Sequence, residues 1–548
     1  MILFEPDGYS VTAAHLLGRH MAGNGFLRAA VKAHAGQPLV GYSPANASGA
    51  AFRQMVLAID PAARAQWLPA DRLELIGDRG VFYRPDYQIG QSARARLRVG
   101  LDRYSICGVT HTLASARAME GIVELLVAPT APWDALICTS QAAVDVIEGA
   151  WAAQVDYLKW RFGEGVSVGR PLLPKIPLGV HCDDFAIVPG LRDEARAALE
   201  LADDEVAVLF AGRLSFNAKA HPYAMYVGLQ ETARRTGRKL VLIQAGRFFN
   251  AGIEAAYRSA VAQFCPDVRA VFVDGADADL YRKAWAAADV FMSLADNIQE
   301  TFGLTPLEAM AAGLPLIVTD WNGYKETVRA GVDGYRIPTG APAPGAGEAI
   351  GRASEVGILD YDFYVSRTST TVALDMGVLV DRLSDLVSDP ALRRRMGEAG
   401  RRRAREIYDW SAIYPQYQAL WTELNAIRCK DRDDSVGEAW IAAAPRVAPA
   451  RRDPFEAFKD YPTALIGPDT IVSLTPGATA GRYATLVEHP LWENWKSPVS
   501  LVETLFARLS AGDMSVRELT MSLAKSADVV TELTARLAKM GLVKVEKA

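Results

Sequence analysis

Cysteine is scarce. The five in this chain (Cys107, Cys138, Cys182, Cys265 and Cys429) are scattered, with no CxxC pair among them. That spacing supports neither a disulfide framework nor a thiolate zinc site, and it fits a reducing compartment. Long apolar runs are also missing. No window reaches eighteen consecutive apolar residues, so no membrane-spanning helix is expected. The opening MILFEPDGYS lacks a basic stretch followed by an apolar core, so no signal peptide is expected. Neither sign of charge dominates. Lys and Arg number 59 against 64 Asp and Glu, a net charge of −5 that gives no support to polyanion binding by the chain as a whole. The expected location is the cytoplasm, with peripheral contact at the inner face of the membrane left open.

What is present is an ordinary globular composition, 50% hydrophobic and 22% charged. At 548 residues the chain exceeds what one core supports, and about two to four domains are expected. Through residue 178, short apolar runs (MILFE, PLVGYS, RLELIG, YSICGVT and ALICTS) alternate with helical stretches such as Ala13 to Ala35 and Ser115 to Leu126. Such alternation predicts a parallel sheet covered by helices. The segment IPLGVHCDDF marks a boundary. A second set follows: VAVLFAGR, KLVLIQAGR, RAVFVDG, DVFMSLA and LPLIVTD, each nearly unbroken in apolar character, as a strand buried on both faces requires. The fold class is therefore α/β, with two doubly wound domains in tandem over 1–178 and 179–405. Ligands of such sheets bind beyond the carboxyl ends of the strands.

Residues 340–354, rich in Gly, Ala and Pro, read as an exposed insertion. The Arg-rich segment SDPALRRRMGEAGRRRAREIYDW could be a basic patch for a membrane or nucleic acid. Leu392, Met396, Ala399 and Ile407 at helical spacing favour an amphipathic helix with a solvated cationic face. Residues 406–428 read as a helix returning to the first domain, and 429–455 as a charged, Ala- and Pro-rich linker.

The remainder, 456–548, contains VSLVETLFARL, then SVRELTMSLA opening on a Ser515/Glu518 capping box, then SADVVTELTARLAKMGLVKVE with a Gly turn before a strand. Three helices and a strand suggest a small, mainly α, winged-helix-like module. From Leu491 onward its bases, Lys547 among them, are nearly balanced by acids, so no nucleic acid is expected and a protein partner or homodimerisation is favoured.

Most informative is NIQETFGLTPLEAMAAGLPLIVTDWNGYKE, residues 297–326. Glu300 and Glu308 bracket a Phe302-Gly303 turn and Pro306, which suits the first turn of a helix. The N–H groups of such a terminus, aided by the helix dipole, form a site for phosphate. A carboxylate on either side can accept hydrogen bonds from sugar hydroxyls. The combination suits a diphosphate with a sugar at each end, as in a nucleotide-sugar. In the segment AGRLSFNAKAHP, Arg213 and Lys219 are cations able to neutralise a departing diphosphate. The string GADAD (275–279) could suggest a metal-binding D-x-D, but Asp277 stands where a helix N-cap is expected.

The 297–326 stretch, continuing through GLPLIVTDWNGYKETVRAGVDGYRIP, resembles the E-x7-E signature of family 4 retaining glycosyltransferases, which have the GT-B fold. The resemblance implies that Glu308 binds the ribose of the nucleotide and Glu300 the transferred sugar. Phe302, Gly303, Leu304 and Thr305 would hold sugar and phosphate. It gives Arg213 and Lys219 the leaving diphosphate, although the gap between them is one residue longer than the usual form. It implies a histidine near the donor sugar at the place of His111, for which a helix-start histidine bonded to backbone is the alternative. It also implies a glycine near the donor phosphate at Gly8. His181 stands where the family usually has an aspartate and is read as a linker residue.

The expected reaction is metal-independent transfer, with no cofactor, from a UDP-sugar (alternatively a GDP-sugar) to an acceptor that could be a glycan, lipid-linked or protein. Two other readings stay open: a nucleotide-sugar epimerase of related architecture, and a regulator sensing a nucleotide-sugar through its terminal module.

Overall fold

The computed structural model describes residues 1–10, 18–34, 36–77 and 80–546. The beginning of the expected helix from Ala13, its last residue Ala35, and Lys547 lie outside the described residues. The chain divides into two compact units, Met1–Ala448 and Pro449–Ala548.

The first unit holds two six-stranded sheets. In chain order the first contains β1 (Ile2–Leu3), β2 (Pro38–Tyr42), β3 (Arg64–Leu68), β4 (Val81–Tyr83), β5 (Ser105–Val109) and β6 (Ala135–Ile137). The second contains β7 (Val206–Ala211), β8 (Leu240–Gly246), β9 (Arg269–Asp274), β10 (Val290–Ser293), β11 (Leu316–Thr319) and β12 (Gly334–Ile337). Their spatial orders, β3-β2-β1-β4-β5-β6 and β12-β11-β10-β7-β8-β9, are the same doubly wound pattern, with every pairing parallel. The strand order reverses between β1 and β4, and again between β7 and β10, and crevices open at such switch points.

The apolar runs explain the sheets. Along β7 every residue is buried, with Ala207, Leu209 and Ala211 entering one core and Val206, Val208 and Phe210 the other. A strand between two helical layers requires that division. Three strands escape the sequence reading: β3, β4 and β12 are short or only partly buried. RLELIG is not a strand. Its residues Glu74–Gly77 form one helical turn, and the edge position beside β2 is taken by β3.

The Arg-rich helix Pro390–Arg403 buries Met396 and Ala399 as its periodicity predicts, but Ile407 is exposed. The π-turn Ala404–Tyr408 rotates the buried face onto Ala404 and Tyr408. Its arginines are also not a uniformly solvated face. Arg393 donates to the carbonyls of Leu386 and Val387, and Arg403 to those of Thr327 and Glu326. The following helix, Trp410–Asp433, buries Trp410, Ile413, Tyr414, Tyr417, Leu420 and Leu424 in the core beneath β1, β4 and β5. Gly25 and Gly179 make room for the indole, since a Cβ on either would lie 2.6 Å from the Trp410 ring.

Two further expectations are corrected. The insertion at 340–354 is a loop only in its first half, since Glu348–Glu355 is helical. The supposed linker is largely docked: helix Ser435–Ala442 places Trp440 5.8 Å from Trp133, ring to ring, and Ala448 is buried beside Leu97, Leu101 and Trp133. No helix among the described residues is long and apolar enough to cross a membrane.

The second unit contains a three-stranded antiparallel sheet. Ile471–Leu474 is central, flanked by Met514–Ser515 and Val543–Glu546. Against it pack helices Ala480–Glu488, Val499–Leu509, Val516–Leu523 and Ala527–Lys539, around Val472, Leu505, Leu519, Val530 and Leu537. The Ser515/Glu518 capping box is formed. The central strand and the helix Ala480–Glu488 were not foreseen.

Candidate functional site

Glu300 and the segment after it lie between β10 and the helix Thr305–Ala312, at the switch point of the second sheet. Gly303 makes the turn with φ of +84°, and a Cβ there would fall 2.1 Å from the Tyr324 ring. Only glycine satisfies both conditions. Tyr324 is fixed in turn by a 3.0 Å hydrogen bond to Ser293 Oγ, and Asn322 Nδ2 donates to the Glu300 carbonyl. Pro306 occupies the first turn, and Gly313 at φ of +79° closes the helix. The N–H groups of Gly303, Leu304 and Thr305 meet no backbone acceptor among the described residues. They are the donors that an anion at this terminus would use.

The two glutamates differ in environment. Glu308, in the first helical turn, is buried, and loss of solvation raises its pKa to about 7. Glu300 is half-buried and accepts a 2.8 Å ion pair from Lys219 Nζ. Arg213 is half-buried and forms no ion pair among the described residues; burial lowers its pKa, while Asp362 and Glu300 act in the opposite direction. Arg213, Lys219, Glu300 and the Phe302–Thr305 segment therefore share one neighbourhood. Lys219 joins it as the partner of Glu300.

The floor of this crevice is backbone. At the carboxyl ends of β7, β8 and β9, a Cβ on Gly246 would lie 1.8 Å from the Gly212 carbonyl oxygen, and one on Gly275 would lie 3.2 Å from the Gly246 Cα. Close approach of this kind keeps side chains out of a ligand's path. A signal for it exists in the sequence, because the tripeptide Ala-Gly-Arg stands at the carboxyl ends of both β7 and β8 (211–213 and 245–247). Asp296 also went unnoticed. It is buried, accepts from the His221 N–H, and has its pKa raised to about 7 by burial. Asp277 caps the helix Ala278–Ala287, accepting from the N–H groups of Asp279 and Leu280.

Across the crevice, Thr301 Oγ1 donates to the His111 carbonyl at 2.8 Å, and Ser140 Oγ donates to the Thr301 carbonyl at 2.8 Å. Glu326 accepts from the Gln141 N–H, at the start of the helix Gln141–Phe162, and pairs with Lys175 at 2.9 Å. The two sheets thus meet around the E-x7-E segment. The His111 ring is bonded to the Pro85 carbonyl at 2.7 Å, and burial lowers its pKa, so the ring is neutral at pH 7. With Nε2–H as the donor, Nδ1 keeps its lone pair. Gly8 lies in the turn Pro6–Tyr9, where a Cβ would come 4.0 Å from Pro85 Cγ; its carbonyl is covered by Gly23 of the next helix. The His181 ring is hydrogen-bonded to the Gly25 carbonyl at 3.0 Å.

Residues 205–354 match the family model described as Glycosyl transferases group 1. That segment includes Arg213, Lys219, Glu300 and Glu308. A D-inositol 3-phosphate glycosyltransferase of Saccharomonospora viridis is 33% identical over 166 residues, 29% of this chain and 37% of that protein. A phosphatidyl-myo-inositol mannosyltransferase of Mycobacterium leprae is 25% identical over 248 residues, 45% of this chain and 52% of that protein. The chain thus spans about a third to a half of these curated relatives. Among solved structures, Anabaena Alr3699/HepE in complex with UDP aligns with a TM-score of 0.51 at 15% identity, covering 77% of this chain and 99% of that one. At that identity the likeness is one of fold: two tandem Rossmann-like domains of the GT-B type.

Proposed function

We propose that this chain is a metal-independent retaining glycosyltransferase that moves a sugar from a nucleoside-diphosphate donor, a UDP-sugar in first place and a GDP-sugar in second, to a hydroxyl acceptor. One observation carries the reading. Arg213, without an ion pair among the described residues, and the Lys219–Glu300 pair converge at the amino-terminus of the helix that holds Glu308, at a switch point. The group 1 match over this segment and the UDP complex of the Anabaena protein support it.

In this reading Glu308 accepts hydrogen bonds from the ribose hydroxyls. Arg213, Lys219 and the N–H groups of Gly303, Leu304 and Thr305 take the diphosphate charge as it develops. The bond between the anomeric carbon and phosphate oxygen breaks, with its electron pair leaving on the diphosphate. The acceptor oxygen bonds to the same face, and its proton passes to the departing phosphate oxygen. Glu300 and the neutral His111 orient the sugar hydroxyls. Binding energy spent on this alignment lowers the barrier. For residues 456–548 the role proposed is protein interaction or self-association, because Arg517 and Arg536 are already paired with Asp469 and Glu532.

The test is UDP or GDP release from a panel of nucleotide-sugars, with Glu300→Ala as control and EDTA present. Turnover by the wild-type protein alone, with α-configured product from an α-donor by NMR, is expected. Inverted product, or equal turnover by Glu300→Ala, would overturn the reading.

A further inference from the structure

β12 leads into β13 (Thr339–Gly340), which pairs antiparallel with β14 (Ala373–Leu374). Between these paired strands the chain makes a long excursion, 341–372. Its first part is exposed, and its second part is not left in solvent. The helix Tyr361–Ser369, capped by Asp360, returns to the crevice. It is anchored at both loops of the switch point. Asn297 Nδ2 donates to the carbonyls of Asn217 (3.0 Å) and Val365 (3.5 Å), and Ser366 Oγ donates to Asn217 Oδ1 at 3.2 Å. Val365 is fully buried.

This anchoring sets Tyr361 at the inner end of the helix. Its hydroxyl lies 3.4 Å from Thr112 Oγ1, a residue of the first domain directly after His111. On the other side it adjoins Gln299, directly before Glu300. Gln299 Oε1 is buried and has no hydrogen-bond partner. A buried amide oxygen without a donor is costly unless a ligand supplies one. The position is therefore one residue along each of two segments from His111 and Glu300, and it holds one unsatisfied acceptor beside a hydroxyl that can donate or accept.

We propose that Gln299 and Tyr361 form a hydroxyl-binding subsite beside the reacting sugar, with Tyr361, delivered by the 341–372 excursion, as a specificity-determining residue. The inference rests on the function proposed above. The ligand is a hydroxyl of a sugar or polyol, from either the transferred sugar or the acceptor. A substrate hydroxyl donates to Gln299 Oε1 and accepts from Tyr361, while Thr112 fixes the rotation of the tyrosine hydroxyl. A site built to pair a hydroxyl discriminates strongly against ligands lacking it, since its own polar groups are then stranded.

The experiment uses the full chain with UDP, UDP-glucose and, as a polyol acceptor probe, glycerol. Tyr361→Phe keeps the ring and its packing, and Gln299→Met keeps the side-chain length. Both variants should bind UDP within about twofold of wild type. If the hydroxyl belongs to the donor, UDP-glucose binding weakens by about five- to thirtyfold, the equivalent of one hydrogen bond of about 1–2 kcal/mol. If it belongs to the acceptor, both nucleotides bind as before and the KM for glycerol rises by a similar factor. The subsite is overturned if both variants match wild type in all three measurements, or if they weaken UDP as much as UDP-glucose. Where wild type prefers GDP, GDP and GDP-glucose replace the uridine probes; failure of wild type to bind either UDP or GDP would instead remove the parent function.

Discussion

Burial, rather than a charged neighbour, sets the behaviour of Glu308. Its folded pKa of about 7 lies above the ordinary carboxylate value, so the folded state holds a proton that the unfolded state has released. Its contribution to stability is therefore present at pH 4.5 and lost as pH rises through about 7. Asp296, also raised to about 7, acts in the same direction. Melting curves from pH 5 to 8 should show Glu308→Gln gaining on wild type as pH rises, by an amount on the order of 2–3 kcal/mol. A constant difference across that range would contradict the account. That Glu300, Arg213 and Lys219 would gather near the start of the helix that holds Glu308 was expected from the motif, and the structure brings them together there. Gln299 and Tyr361 were not foreseen. Their meeting depends on a helix more than sixty residues downstream, and no local pattern encodes that return.

Single positions control whole elements here. Gly303 combines a positive φ with contact against the Tyr324 ring, so Gly303→Ala forces the turn out of place. The expected cost is about 2–4 kcal/mol, with loss of nucleotide binding, checked by denaturant unfolding and by titration. A variant of unchanged stability would show that the turn tolerates a side chain. The strands buried on both faces, β7, β8, β10 and β11, were readable because their apolar runs are nearly continuous. RLELIG misled for the same reason: its leucines and isoleucine fill a core from one helical turn as well as from a strand. The π-turn at Ala404–Tyr408 was invisible, since one inserted residue shifts the face without altering composition.

At the scale of the molecule, the first unit ends well past the point where the sequence stops resembling a glycosyltransferase. Trp440 and Ala448 cover Trp133, so a chain ending at Ala448 should unfold like the intact first unit, whereas one ending at Asp433 should lose on the order of 1–3 kcal/mol. Equal melting of the two truncations would refute that role. Doubly wound order was foreseeable from strand and helix alternation, but the junction of the two sheets through Thr301, Ser140, His111 and Glu326 depends on three-dimensional placement alone. The central claim is that this junction binds a nucleoside diphosphate at the amino-terminus of Thr305–Ala312. The most direct measurement is calorimetric titration of UDP into the wild-type chain and Arg213→Ala. The account predicts one UDP per chain, with affinity reduced on the order of 10- to 100-fold in the variant. Absence of binding of UDP and GDP to wild type, or equal affinity in Arg213→Ala, would contradict it.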